Sequence, residues 1–506
     1  MKYSLVFIIL SFFLINQFSS ANKGLVLASS VVHANKLAPA LYVFGDSVVD
    51  SGNNNYLNTL AKGNYKPYGI GFPNGASGRF TNGYTIVDYL AAWLGLPFVP
   101  PYLGLSKVQK SKITTGINYA SGAAGILPES GTATGDNLSL EKQVNYFKDT
   151  VQFDLPKSLK TRKNISTYLA KSIVVVVIGS NDYLNNYLQP TRYNSSKIYT
   201  PQQYGAHLVS TLKQHLKNMY HIGARKFLVF EMGPIGCLPS VVNSVNPRPI
   251  TACVEGINGL VKIFNFGVTN MIQELRSTLK GSTFVYGDVF ENTYHQAITP
   301  LKYGFSGGNA PCCSVSNMSS LCIPNQTPCK NKNAYHYWDG FHPTQRVNHE
   351  IANGCFRGSS TCFPINVYQL ACNLRITSGC RPKIIPSSYE KVEVLEGDGG
   401  LGTVVHIVHH PGSVPLSYTQ KIVTVDNHKR FQEIQQIEGG YLEMGVTFYM
   451  ESFQVIEKGC DSSVVKSMVR YEVPDDSAPK VSHLITPEDQ LTRIKAGVKY
   501  ALSLKK

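Results

Sequence analysis

A serine, a glycine and an asparagine that each follow a short strand-like run, with an aspartate three residues before a histidine, could together perform nucleophilic acyl chemistry. In this chain of 506 residues they are Ser47 in Phe44-Gly45-Asp46-Ser47, Gly122, Asn181 in Gly179-Ser180-Asn181-Asp182, and the pair in Asp339-Gly340-Phe341-His342. A serine hydroxyl is a weak nucleophile until a base takes its proton. An imidazole is such a base when a carboxylate fixes its tautomer and stabilises its charged form. The developing oxyanion needs donors that are already in place. Ser47 as nucleophile, His342 as base and Asp339 as its partner fit those needs. The Ser47 N–H, the Gly122 N–H and the Asn181 amide are the candidate oxyanion donors. This chemistry calls for no metal and no cofactor.

Three rival motifs fit less well. Gly304-Phe305-Ser306-Gly307-Gly308 matches a Gly-x-Ser-x-Gly elbow, which needs a strand before it and a helix after it. Here it sits in a loop leading to Pro311 and Cys312. Gly397 to Gly402 matches G-x-G-x-x-G, but a strand-like run follows where a dinucleotide site needs a helix. His406, His409 and His410 have no suitably spaced acidic or cysteine partner for a metal.

The elements that must position Ser47, Gly122 and Asn181 alternate between strand-like and helix-like. Ala40–Phe44 and Ile173–Ile178 read as strands, the second apolar throughout, as in a parallel sheet covered on both faces. Ile117–Ala120 reads as extended. Lys226–Phe230 and Thr283–Tyr286 read as further strands. Thr85–Leu94, Gln202–Tyr220, Gly256–Leu279 and Thr344–Ala352 read as helices, with Leu208, Leu212, Leu216 and Met219 spaced along one face. The alternation predicts an α/β fold, a parallel sheet between helices, with the three polar turns at the carboxyl ends of its strands. Residues 301–343, rich in Gly, Pro, Asn and Cys, read as a long loop pinned by disulfides. Beyond Leu374 the texture changes to six successive strands from Val392 to Val473 and a closing helix at Pro487–Leu504, an antiparallel α+β pattern. The boundary is expected near Thr377–Pro386.

Charge divides at the same place. The net charge of +15 comes from residues 1–376, with 32 basic and 16 acidic side chains, while residues 377–506 hold 15 and 16. The basic residues are scattered, which predicts a solvated surface and no nucleic-acid partner. Leu5–Ile15 is an apolar run behind Lys2, too short to span a membrane and suited to a signal peptide ending at Ala21, or as late as Ala34. No stable membrane span is expected. Sequons at Asn137, Asn164, Asn194, Asn317 and Asn325 are candidate glycosylation sites. Ten of the 11 cysteines lie between Cys237 and Cys380, none in Cys-x-x-Cys spacing, which predicts disulfides in an oxidising compartment with pairing left open.

Four segments in order carry a family resemblance. FGDSVVDSGNNN (44–55), NYASGAAGIL (118–127), VIGSNDY (177–183) and YWDGFHPT (337–344) resemble the four blocks of the plant GDSL esterase/lipase family of SGNH hydrolases. The resemblance covers residues 38–375. It implies a flavodoxin-like α/β/α sandwich and secreted carboxylic ester hydrolysis, lipid esters included, through an acyl-enzyme. It also implies Ser47, Asp339 and His342 as catalytic residues, and Ser47, Gly122 and Asn181 as the oxyanion hole. Ala123 departs from the family, where many relatives have a second glycine. An alcohol replacing water at the same site would make the enzyme an acyltransferase.

Residues 384–506, after a linker at 376–383, resemble the Bet v 1 (pathogenesis-related class 10) family and its norcoclaurine-synthase-like branch. The resemblance rests on EGDGGLGTV (396–404), VDNHKR (425–430) and IEGGYLEMGVTFYM (437–450). It implies an incomplete helix-grip fold lacking its first strand, with a bare sheet edge and an apolar ligand cavity. A small apolar ligand and a carrier or defence role are the alternative function. Lys466 falls where the synthase branch has a working lysine, but the expected Tyr-x-Glu pair is not evident. That family is usually cytosolic, so the chain reads as two neighbouring units joined, by fusion or by a faulty gene boundary.

Overall fold

The computed structural model describes residues 2–7, 36–358, 361–371, 390–396, 401–426, 431–459, 462–481 and 484–485. The chain forms two compact units, His33–Asn373 and Leu374–Lys506 with Met1–Val32. The expected boundary at Thr377–Pro386, the helix at Pro487–Leu504, and Cys372, Cys380 and Cys460 lie outside the described residues.

The first unit is built on a sheet of β2 (Leu41–Gly45), β3 (Ile173–Val177), β4 (Lys226–Phe230), β5 (Thr283–Gly287) and β6 (Cys362–Phe363), in that order. Strands β2 to β5 are parallel and β6 is antiparallel to β5. Thr115–Ser121 runs beside β2 on its other edge, with Leu41 N–H donating to Thr115 O and Tyr119 N–H to Val43 O. The spatial order is therefore second, first, third, fourth, fifth, the flavodoxin-like order.

Successive residues of a strand point to opposite faces. Tyr42, Phe44, Val174, Val176, Phe227 and Phe284 enter one buried cluster, while Leu41, Val43, Ile173, Val175, Leu228 and Val285 enter another. Both faces are dry, which is why β3 can be apolar at every position. Helices α2 (Leu140–Asp149), α3 (Pro201–Ile222) and α4 (Glu255–Thr278) cover the first face, and α1 (Ile86–Trp93) and α6 (Gln345–Phe356) the second. Helix α3 starts with Pro201 behind a Thr200–Gln203 capping box, which satisfies donors that the first turn leaves free. Helix α2 and helix α5 (Phe290–Ile298) had not been picked out from the sequence.

The second unit is an antiparallel meander: β7 (Lys391–Glu396), β8 (Val404–Val408), β9 (Ser417–Asp426), β10 (Phe431–Gly439), β11 (Phe448–Gly459) and β12 (Ser462–Glu472). Its edge at β12, expected to be bare, is covered. Lys2–Phe7 (β1) pairs with β12, Lys2 opposite Glu472 and Phe7 opposite Ser467. In the uncleaved chain this apolar segment satisfies backbone groups that an open edge would leave free. Removal of a leader would take the strand with it.

Candidate active site

Ser47, Gly122 and Asn181 stand in turns at the carboxyl ends of the first unit's sheet, and Asp339 and His342 reach the same edge from the long loop before α6. Gly45 closes β2 at φ +153, and a Cβ there would lie 2.2 Å from the Val177 carbonyl oxygen, so only glycine lets β2 and β3 approach before the Ser47 turn. Asp46 N–H donates to that carbonyl, and Gln143 on α2 holds both backbone groups of Gly45. Ser47 Oγ lies 2.8 Å from His342 Nε2. His342 Nδ1 lies 2.8 Å from Asp339 Oδ2, and Asp339 Oδ1 accepts the N–H groups of Phe341 and His342 at 2.8 Å each. Asp339 is fully buried. The i, i+3 spacing is thus closed by a turn in which one carboxylate holds both the backbone and the ring of the same histidine. Phe80 packs against the imidazole with ring centroids 5.0 Å apart.

The disulfide-pinned loop builds this turn. Cys312–Cys329 and Cys313–Cys322 cross-link it, and Cys313 N–H donates to the Trp338 carbonyl. Gly340 N–H donates to the Ser320 carbonyl, and a Cβ on Gly340 would come within 2.6 Å of Ser320, so the turn fits only without a side chain there. Cys237–Cys253 and Cys355–Cys362 are the other disulfides among the described residues.

The candidate oxyanion donors have unlike surroundings. The Asn181 amide donates one N–H to Ala124 O at 3.0 Å and lines the cavity, leaving its second N–H for a ligand. Gly122 N–H instead donates to Asp50 Oδ2 at 3.2 Å, and Gly122 does not line the cavity. Asp50 is a buried carboxylate that also accepts from Gly52, Asn53 and Asn54, and it draws the glycine toward itself. The next residue, Ala123, lines the cavity at φ +64, in the left-handed region that a non-glycine residue adopts only at a cost.

Sequence reasoning missed a set of side chains that hold the blocks together. Asn53 donates to the carbonyls of Asn118 and Ala120, and Asn54 to those of Ala61 and Gly122, binding the first block to the second. Asp182 accepts the N–H groups of Ile126 and Leu127 and the Ser130 hydroxyl, binding the second to the third. Asp50, Asn53, Asn54 and Asp182 all stand inside the motifs and could have been found by asking which motif residues the chemistry leaves unused. Tyr68 and Gln143 lie outside every motif and carry no such signal.

Burial dominates the electrostatics. It pushes Asp46 up to about 7, against the Val48 N–H and His342, which hold it down. It raises Asp50 to about 6 against four backbone N–H groups, and Asp182 to about 6 against the Leu127 N–H, the Ser130 hydroxyl and the Ile126 N–H. Burial raises Glu231 to about 8, although the Tyr286 hydroxyl and the Phe290 N–H hydrogen-bond to it. His336, buried near Arg346, is held down to about 3 and is neutral.

The cavity in front of Ser47 has a volume of about 530 Å³. Leu60, Phe80, Leu184, Met232, Ile235 and Leu238 give it an apolar wall. Ser306 is exposed in a loop and does not line it. The sequon at Asn137 is corrected: the residue is buried and its amide donates to the Ser130 carbonyl, so the folded chain offers no room for a glycan. Asn164, Asn194, Asn317 and Asn325 are exposed. Of the rival histidines, His406 Nδ1 lies 3.1 Å from Thr419 Oγ1 across two strands. Lys466 is exposed on β12. Among the described residues no helix is long and apolar enough to cross a membrane.

A doubly wound α/β sandwich with a serine, an imidazole and a carboxylate in line at one sheet edge is the architecture of a serine hydrolase. Residues 41–354 match the family described as GDSL-like Lipase/Acylhydrolase, and residues 374–495 match the Pathogenesis-related protein Bet v 1 family. GDSL esterase/lipase 7 of Arabidopsis thaliana is 44% identical over 340 residues, which cover 66% of this chain and 92% of that relative. GDSL esterase/lipase At5g08460 of the same plant is 41% identical, covering 66% and 87%. The chain belongs to the GDSL-like lipase/acylhydrolase family, and its first unit is a carboxylic ester hydrolase. Among solved structures, truncated norcoclaurine synthase from Thalictrum flavum is 38% identical over 25% of this chain and 78% of that one, with a TM-score of 0.24.

Proposed function

We propose that the first unit hydrolyses carboxylic esters through an acyl-enzyme on Ser47, with His342 as general base and acid and Asp339 as its partner. The observation that carries this reading is the hydrogen-bonded line from Ser47 Oγ through His342 to Asp339. His342 Nε2 takes the Ser47 proton as Oγ attacks the ester carbonyl. The imidazolium then protonates the departing alcohol. Water repeats the sequence on the acyl-enzyme and releases the acid. We assign the oxyanion to the Ser47 N–H, the free N–H of the Asn181 amide and the Ala123 N–H. Ala123 replaces Gly122 because the Gly122 N–H is already committed to Asp50. The apolar wall suits the acyl chain of the ester.

Mass spectrometry after a burst with a p-nitrophenyl ester tests the assignment. The acyl group should sit on the peptide holding Ser47. An adduct elsewhere, or full hydrolysis by Ser47→Ala, overturns it.

We propose an extracellular location, supported by the apolar run behind Lys2 and by the four disulfides among the described residues. For the second unit we propose binding of a small apolar ligand. The family match and the apolar cluster of Tyr441, Tyr449, Val469 and Tyr471 support it. A fluorescent apolar dye should still bind saturably to the full chain after a bulky fluorophosphonate has filled the Ser47 site; loss of all saturable binding overturns it.

A further inference from the structure

Tyr68 lies 271 residues before Asp339 in the chain, in no motif, yet its fully buried hydroxyl donates to Asp339 Oδ2 at 2.6 Å. The Tyr68 hydroxyl oxygen itself accepts the Cys322 N–H at 3.1 Å. Its ring packs against Phe80, which packs in turn on the His342 imidazole. A hydrogen-bonded line therefore runs from the backbone of the Cys313–Cys322 loop through the phenol to the carboxylate, and on to His342 and Ser47. Burial, and after it the Asp339 charge, push the phenol well above its ordinary value, so it keeps its proton and can only donate to the carboxylate.

We infer that Tyr68 is a positioning residue of the acid–base line, which fixes the Asp339 carboxylate and tempers its charge. Resting on the roles proposed for Ser47, Asp339 and His342, this adds a fourth side chain. Without the phenol, Oδ2 would keep only the imidazole as partner. The carboxylate would hold the proton on His342 more strongly and its plane would be less fixed. Both effects reach the reaction through His342 alone.

The neighbourhood supplies a control. Tyr65 packs edge-on against Tyr68 with centroids 5.2 Å apart and donates to the Cys322 carbonyl, but makes no hydrogen bond to Asp339. Tyr65 and Tyr68 are the titratable groups facing Asp339 from the 65–68 segment, and Asp46 faces His342 from the β2 turn. Asp46 is unchanged in either variant.

The test compares Tyr68→Phe and Tyr65→Phe in the full chain on a p-nitrophenyl ester, with reactive sites counted by fluorophosphonate titration. Tyr68→Phe should lower kcat per titrated site by about tenfold, the size expected for one hydrogen bond to a charged group. KM should hold, and the acidic limb of the pH–rate profile should move to higher pH. Tyr65→Phe should leave that limb in place. An unmoved limb in Tyr68→Phe overturns the inference, whether kcat per site holds or the number of sites falls with it. A wild-type enzyme that never labels at Ser47 overturns instead the roles on which the inference rests.

Discussion

The two units handle polar side chains in opposite ways. In the first, parallel strands all end at one edge, so the turns after β2, after Thr115–Ser121 and after β3 bring Ser47, Ala123 and Asn181 to one cavity. In the second, strands alternate in direction and polar groups meet across the ladder: His406 with Thr419, Thr424 with Glu433, Ser452 with Glu433. Those pairs are spread over the sheet and satisfy one another. A parallel sheet concentrates chain reversals from one side at a single edge, whereas a meander divides them between two. The difference explains why acyl chemistry gathers in one unit, although both carry serines, histidines and carboxylates.

The strongest way to break that contrast is to remove the nucleophile in one unit and a prominent side chain in the other. Ser47→Ala should lower kcat for a p-nitrophenyl ester by at least ~10³-fold, as expected for a residue of a concerted set. Lys466→Ala, on the exposed face of β12, should leave ester hydrolysis unchanged. Equal losses in the two variants would mean that the units share the chemistry.

Asn181→Ala sharpens the same contrast within the first unit. Loss of one oxyanion donor should lower kcat by about 10²-fold with little change in KM. The Asn181 amide also holds Ala124, so the folded fraction must be measured alongside. A fall in KM-level binding with kcat intact would take Asn181 out of the oxyanion role.

The units should also differ in how their stability follows pH. Asp50 and Asp182 titrate near 6, Asp46 near 7 and Glu231 near 8 in the folded first unit. Each is above its unfolded value, so the folded state binds more protons through this range, and stability falls as pH rises from about 4 to about 8. His336, held down to about 3, and His215, lowered by burial, work the other way below their unfolded value of 6.5, but they are two groups against four carboxyls. In the second unit Glu393 shifts the other way, lowered by its hydrogen bond to Lys391. Thermal unfolding followed from pH 4 to 8 should therefore show the first unit's transition falling as the pH rises. Asp46→Asn keeps an acceptor for the Val48 N–H and should flatten the slope approaching pH 7. A slope unaltered by that change would locate the proton uptake elsewhere.

Much of this was legible in the sequence because it is local. The run Ile173–Val177 is apolar at every position, and only a strand covered on both faces uses all five. The six strands of the meander fall within about three residues of where alternation and turns place them. The serine, the histidine and the aspartate were legible because each stands in a compact motif. What was not legible is long-range. Nothing near Tyr68 indicates that its hydroxyl meets Asp339, nor near Gln143 that its amide clamps Gly45. The engagement of the Gly122 N–H by Asp50 was hidden for a related reason. A motif gives the glycine but not the direction of its N–H, which Asp50 sets from 72 positions away.

The proposed role of the Ala123 N–H leads to the smallest effect. Ala123 holds φ +64, where an L-residue is disfavoured by roughly 1–2 kcal/mol and glycine is not. Glycine in its place relieves the backbone but adds freedom to the unfolded chain, which offsets part of the gain. Ala123→Gly should therefore raise the first unit's stability by no more than about 1 kcal/mol, read as a small increase in its denaturant midpoint. Its N–H stays where the backbone puts it, so kcat should hold within about twofold, less than ~0.5 kcal/mol in the barrier. Ala123→Pro removes the N–H but also forces φ negative, so it would confound donor loss with refolding of the turn. The glycine variant isolates the strain. A fall in stability would show that the Ala123 methyl, buried at 6% exposure, contributes more by packing than its conformation costs.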